Sequence, residues 1–122
     1  MSQTEQPLPT TAWKIEDRAT WQTALATGSY GGSALDRADG FIHLSTAAQV
    51  RETALKWFAG RADLVLAQID LVPLGDTVRF EASRGGALFP HVYGPLPASA
   101  VLVTHDMPPD GQGGFVFPEA IP

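Results

Sequence analysis

Hydrophobic and polar positions change period several times along this chain, and each change marks an element. Residues 12–15 (AWKI) alternate sides like a short strand. In residues 16–28 (EDRATWQTALATG), Trp21, Ala24 and Leu25 share one helical face, Asp17 is placed to cap the start, and Gly28 suits a left-handed stop. SYGGS after it reads as a flexible turn. Residues 41–44 (FIHL) are a short apolar run broken by a histidine, with Phe41 and His43 on one strand face and Ile42 and Leu44 on the other. Residues 45–60 (STAAQVRETALKWFAG) carry the strongest helix pattern. Thr46 and Gln49 are spaced as a capping box, Val50, Ala54, Trp57 and Phe58 form one stripe, and Gly60 ends it.

The second half reads as strands. Residues 63–71 (DLVLAQIDL) predict a central strand, residues 78–81 (VRFE) and 100–104 (AVLVT) two more, and residues 115–117 a candidate last one. ALFPHVYGPLP holds three prolines, which cannot donate to a ladder, so it is expected at an edge or in a shaped loop. Early helices and late strands predict an α+β domain, with helices on a mostly antiparallel or mixed sheet. Residues 12–106 read as one globular domain. Residues 1–11 and 107–122, rich in Pro, Gly and polar side chains, read as loosely held flanks.

Composition narrows the function classes. The chain has 122 residues and no cysteine, which rules out disulfides, thiolate catalysis and cysteine-ligated metals. It contains no apolar run long enough to cross a bilayer, so no membrane partner is expected. The N-terminal stretch lacks the basic start and apolar middle of a secretory signal, and a cytoplasmic location is expected. Net charge is −5, with eight Lys and Arg scattered along the chain, so extended nucleic acid is a poor partner. A small molecule or nucleotide is the better ligand class.

Two motifs carry candidate chemistry. In DGFIHLST, His43 lies two residues before the turn into a helix, where Ser45, Thr46 and free backbone amides favour an anion. The alternative is a core histidine bonded to a carbonyl, with Ser45 and Thr46 as caps only. In EASRGGALFPHVYG, Glu81, Ser83, Arg84, His91 and Tyr93 gather around two glycines. Glu81 is placed to bind a ribose or act as a base. His91 and Tyr93 alternate and so present to one side, the tyrosine as a stacking ring and the imidazole as donor or acceptor. The alternative is a Pro/Gly-shaped turn with Phe89 and Tyr93 filling core. No metal-binding spacing such as HExxH occurs, and no metal site is expected. Lys14 reads as a solvated strand residue, and Trp13, Trp21 and Trp57 as core or rim aromatics.

The order W-K-I, W-x3-L-A-T-G-x-Y, DGFIHLST-x2-Q, DLVLAQID, RFE-x-SRGG, LFPHVYGPLP resembles a family of small bacterial proteins catalogued as a domain of unknown function, some labelled as glutathione-S-transferase-related. The similarity spans about residues 12–103. More distantly, FIHLST is similar to the HVHLS segment of RNA 2′-phosphotransferases, which have the ADP-ribosyltransferase-like fold. That resemblance implies a split, curved sheet with NAD in the cleft between its halves. It implies His43 and Ser45 bordering the cleft, Tyr93 or His91 near the nicotinamide or its ribose, and Glu81 as the acidic side chain beside the ribose. Many relatives carry Tyr-His where this chain has Trp13-Lys14, and the arginines that hold RNA phosphate are not visible, so the RNA reaction is not expected. Three functions follow: an NAD-using transferase or glycohydrolase, a non-catalytic nucleotide or metabolite binder, and a structural or partner-binding domain.

Overall fold

A computed structural model describes residues 8–121. Residues 1–7 of the N-terminal flank lie outside it. The elements in chain order are β1 (Thr11–Asp17), α1 (Arg18–Ala26), β2 (Ser29–Tyr30), α2 (Ala34–Asp39), β3 (Ile42–His43), α3 (Val50–Trp57), β4 (Leu64–Asp70), β5 (Val78–Ala82), β6 (Leu88–Val92), β7 (Leu96–Pro97) and β8 (Val101–Asp106). The class is α+β, with antiparallel pairing throughout the described residues.

The strands divide into a sheet ordered β1-β4-β8, another ordered β3-β6-β5, and the short pair β2-β7. β4 is central, as its apolar run predicts, and is buried on both faces. Val65, Ala67 and Ile69 join the core on one side with Trp21 of α1, Tyr30 and Leu96. Leu64 and Leu66 join the other side with Trp13, Ile15, and Val50 and Ala54 of α3. A strand covered on both faces keeps no polar alternation, which explains its near-continuous hydrophobicity. The C-terminal flank, read as loosely held, adds Met107, Phe115 and Ile121 to that second cluster.

Among the described residues, one backbone bridge joins the two larger sheets. Trp13 N–H donates to the Ser45 carbonyl (2.8 Å) and Ser45 N–H to the Trp13 carbonyl (2.9 Å). The sheet is therefore split, and its two parts meet where β1 passes the chain leaving β3.

Several local expectations are corrected. The segment after α1 is not only a flexible turn: it contains α2, opened by a capping box between Ser33 and Asp36 and closed by Gly40 in the left-handed region. Asp17 sits at the α1 N-cap without a side-chain cap bond, because its carboxylate accepts from Arg61 instead (2.7 Å). The proline-bearing segment is not an edge: β6 is the middle strand of its sheet. It tolerates Pro90 because β3 pairs only as far as His43↔His91, and beyond that the Pro90 carbonyl accepts from Leu44 N–H (3.0 Å). The ladder on that side stops before the ring nitrogen would have to donate. Residues 115–117 form no strand, only a bridge of Phe115 with Pro109.

Candidate functional site

The β3–β6 register sets His43 directly opposite His91. Directly opposed residues in an antiparallel pair project to the same face, and the rings lie 5.6 Å apart at 69°. Phe41 covers them, stacked on His91 at 4.1 Å and tilted against His43 at 4.7 Å and Tyr93 at 5.2 Å. Both imidazoles border a cleft of about 950 Å³ between the two sheets and α3, along with Lys14, Ser45, Thr53 and Trp57.

Each histidine is held by carboxylates. His91 Nδ1 is 2.7 Å from Glu81 Oε1, and the Tyr93 hydroxyl donates to the same oxygen at 2.7 Å. With its Nδ1 engaged, the His91 ring presents Nε2 on the opposite edge, and no described residue bonds it. The hydrogen bonds from Tyr93 and His91 hold the Glu81 carboxyl below the usual carboxylate range against a smaller opposing effect of burial. The bond to Glu81 raises the Tyr93 hydroxyl above its ordinary value, so it stays a donor at neutral pH.

His43 is gripped on both sides. Its Nδ1 is 2.6 Å from Asp36 Oδ1, and its Nε2 is 2.9 Å from Asp39 Oδ2. Asp36 is 2 % exposed and is the hub of the cleft floor. It accepts from Lys14 Nζ (2.8 Å), Ser33 N–H (2.9 Å) and His43 N–H (3.1 Å) as well as the ring. Burial by itself would raise this carboxyl, but the His43 and Lys14 bonds prevail and hold it far below the ordinary carboxylate range. Lys14 Nζ also donates to the His43 carbonyl (3.1 Å). Beside them, buried Glu16 accepts from the Tyr30 hydroxyl. Burial, and then the Glu16 bond, push that hydroxyl above its ordinary range, so it remains neutral.

The sequence-derived candidates are distributed unevenly. His43, Ser45 and His91 line the cleft; Glu81 and Tyr93 stand behind His91 and reach the cleft through it. Ser45 does not cap α3. Its hydroxyl lies 2.9 Å from Thr53 Oγ1, which itself donates to the Gln49 carbonyl, so Ser45 donates to Thr53. Thr46 is not at the helix start, since α3 begins at Val50, and its amide donates to Gln49 Oε1 (3.0 Å). That amide is therefore not free to hold an anion. Arg84 lies in a short helical turn after β5, and its side chain lies outside the described part of the structure.

Asp36 and Lys14 escape the motif reading. The S-x-x-D spacing of Ser33 and Asp36 is a capping signature that marks α2 and could have flagged Asp36. Lys14 is not solvated but buried, 6 % exposed, because β1 is covered on both faces.

The Protein of unknown function (DUF952) family model matches residues 15–104. The chain belongs to this family. The Caulobacter crescentus protein CC0527 is similar to it in crystal structure at 50 % identity, with 88 % of this chain and 94 % of that chain covered and a TM-score of 0.84; a double mutant of CC0527 gives the same values. The solution NMR structure of CC0527 gives 51 % identity, coverage of 87 % and 91 %, and a TM-score of 0.78. No protein of curated function matches the chain. Among the described residues no helix is long and apolar enough to cross a membrane, and no group of three or more His, Cys, Asp or Glu could hold a metal ion.

Proposed function

We propose that this DUF952 member binds an NAD-type dinucleotide in the cleft between its two sheets and cleaves the nicotinamide–ribose bond, as an ADP-ribosyltransferase-like transferase or glycohydrolase. The observation that carries this reading is the His43–His91 register pair, which brings both sequence motifs to one cleft with Glu81 bonded to His91. The split sheet bridged at Trp13 and Ser45 agrees with it.

In such a reaction the C1′–N bond breaks with its electron pair leaving on the neutral nicotinamide, and positive charge develops at the ribose. Water or an acceptor hydroxyl then forms the new C1′–O bond and gives up its proton. His91 Nε2 is the group positioned to take that proton, and the Glu81 carboxylate balances the imidazolium that results. Lys14 supplies a positive charge at the floor, paired with Asp36. Ser45 offers acceptor lone pairs to a ligand N–H or O–H.

The test is nicotinamide release from NAD, with binding followed separately by ligand-observed NMR. Glu81→Gln should bind NAD with little change and lose at least tenfold of the release rate, within the range general acid–base catalysis contributes. Because Glu81 is held below the usual carboxylate range, wild-type release should not fall from loss of its charge until pH drops below about 4.3. Absence of both NAD binding and release would end the proposal. One observation favours a binding-only module: Glu81 does not line the cleft, and Tyr93 and His91 share its Oε1. Saturable NAD binding without release, weakened by His43→Ala and indifferent to Glu81→Gln, is the outcome that reading expects.

A further inference from the structure

Most of the cations in this acidic chain are already engaged. Lys14 pairs with Asp36 (2.8 Å), Arg18 with Asp63 (2.8 Å) and Asp106 (2.7 Å), Lys56 with Glu52 (2.9 Å) and Arg61 with Asp17 (2.7 Å). Arg79 lies over the Tyr93 ring, and Arg51 donates to the Ile121 carbonyl while lying over Phe117. Arg37 differs. Among the described residues its exposed guanidinium has no carboxylate, carbonyl or aromatic ring as a partner.

Arg37 also stands at a junction. A second hollow of about 480 Å³ lies against α1, lined among others by Thr20, Thr23, Ser29, Gly31, Gly32 and Arg37. Thr20, Gly32 and Arg37 line the cleft as well, so the two hollows adjoin at these residues. The guanidinium is laid against this groove: its Nη2 lies 3.6 Å from the point where a Gly31 Cβ would stand. The hydroxyls of Thr20, Thr23 and Ser29 make no hydrogen bond among the described residues. The Asp36 carboxylate, whose Oδ2 would lie 3.4 Å from a Gly32 Cβ, is matched by Lys14 and does not engage Arg37.

Building on the dinucleotide reading of the cleft, we infer that Arg37 grips the diphosphate of the ligand where it leaves the cleft for the α1 groove. A guanidinium offers paired N–H donors whose spacing fits phosphate oxygens. Thr20 and Thr23 stand three apart on α1, neighbours on one helix face, and add neutral O–H donors. The assignment also fits a net charge of −5: one placed guanidinium can hold a short anion where no broad basic surface exists.

The test follows the Arg37 Nε–Hε cross-peak by heteronuclear NMR, assigned by its loss in Arg37→Gln. The probes are inorganic pyrophosphate, NAD and nicotinamide riboside. Pyrophosphate and NAD should each move that cross-peak saturably, and nicotinamide riboside, which has no phosphate, should not. Arg37→Gln should weaken both phosphate-bearing probes about tenfold or more, as loss of a charge-assisted hydrogen bond does, and leave nicotinamide riboside unchanged. Arg37→Lys should recover only part, because an ammonium keeps the charge without the paired donors. Arg37 is exposed in the last turn of a short helix, so both variants should fold, which circular dichroism checks. The inference is overturned if pyrophosphate leaves the cross-peak unmoved, or if Arg37→Gln binds pyrophosphate as well as wild type. NAD bound or cleaved without any response at Arg37 also overturns it, and leaves the cleft reading intact. Pyrophosphate held by Arg37 without NAD binding does the reverse: the dinucleotide reading fails and the anion site stands.

Discussion

At the scale of single residues, Asp36 organises the candidate site. Its two oxygens serve a lysine, a histidine ring and two backbone amides, all within 3.1 Å. Removing it would leave Lys14, a 6 % exposed cation, without its carboxylate. Truncating one partner of a buried ion pair costs more than the pair contributes, because the remaining charge stays desolvated. Asp36→Ala should therefore destabilise the fold by roughly 3–5 kcal/mol in urea denaturation. A loss below about 1 kcal/mol would mean that Lys14 finds water or another partner. Glu81 differs: it is more exposed, and its bonds to His91 and Tyr93 orient side chains without burying a charge.

At the scale of elements, α2 is what delivers Asp36, and the chain entering it is tightly constrained. Gly32 has φ +107°, and a Cβ there would sit 2.9 Å from the Asp36 Cβ. Gly32→Ala should thus cost roughly 1–3 kcal/mol from backbone strain and displace the capping box with its carboxylate. The neighbouring Gly31 is the control, since a Cβ there meets only the flexible Arg37 side chain at 3.6 Å. Gly31→Ala should change stability by no more than about 0.5 kcal/mol in the same denaturation series. Equal losses in both variants would show that crowding at Gly32 is not the cause.

Legibility in the sequence also varied by element. α1, α3 and β4 follow from periodicity, because each turns apolar side chains into one of the two clusters. α2 has six residues and one buried side chain, an aspartate, so it carries no apolar stripe to read. β6 was misjudged because proline counts against an interior strand, and only the two-residue length of β3 removes the conflict. α3 begins three residues later than the Thr46 capping pattern suggests, since Gln49 uses its side chain to close the turn before the helix.

At the scale of the whole molecule, two sheets share a polar seam between two apolar clusters, and that seam responds to acid. The folded Asp36 carboxyl ionises well below its unfolded value of about 3.9. Its stabilising contribution is therefore complete above about pH 4 and lost as pH falls toward the lower folded value, because the unfolded chain takes up the proton first. Wild-type stability measured by urea at successive pH values should drop more steeply below about pH 4 than that of Asp36→Asn, which has no carboxyl to titrate there. Parallel profiles would place the acid-sensitive charge elsewhere.

The sequence by itself determined the α+β class, the central β4 strand and the family to which the chain belongs, since periodicity and local spacing are properties of neighbours along the chain. Only the tertiary structure decided which polar groups share a cleft. Lys14 meets Asp36 across 22 positions, and His91 meets His43 through strand register. Such pairings depend on how β1, α2, β3 and β6 come together, and a lysine on an alternating strand looks solvated until a second sheet is laid over it.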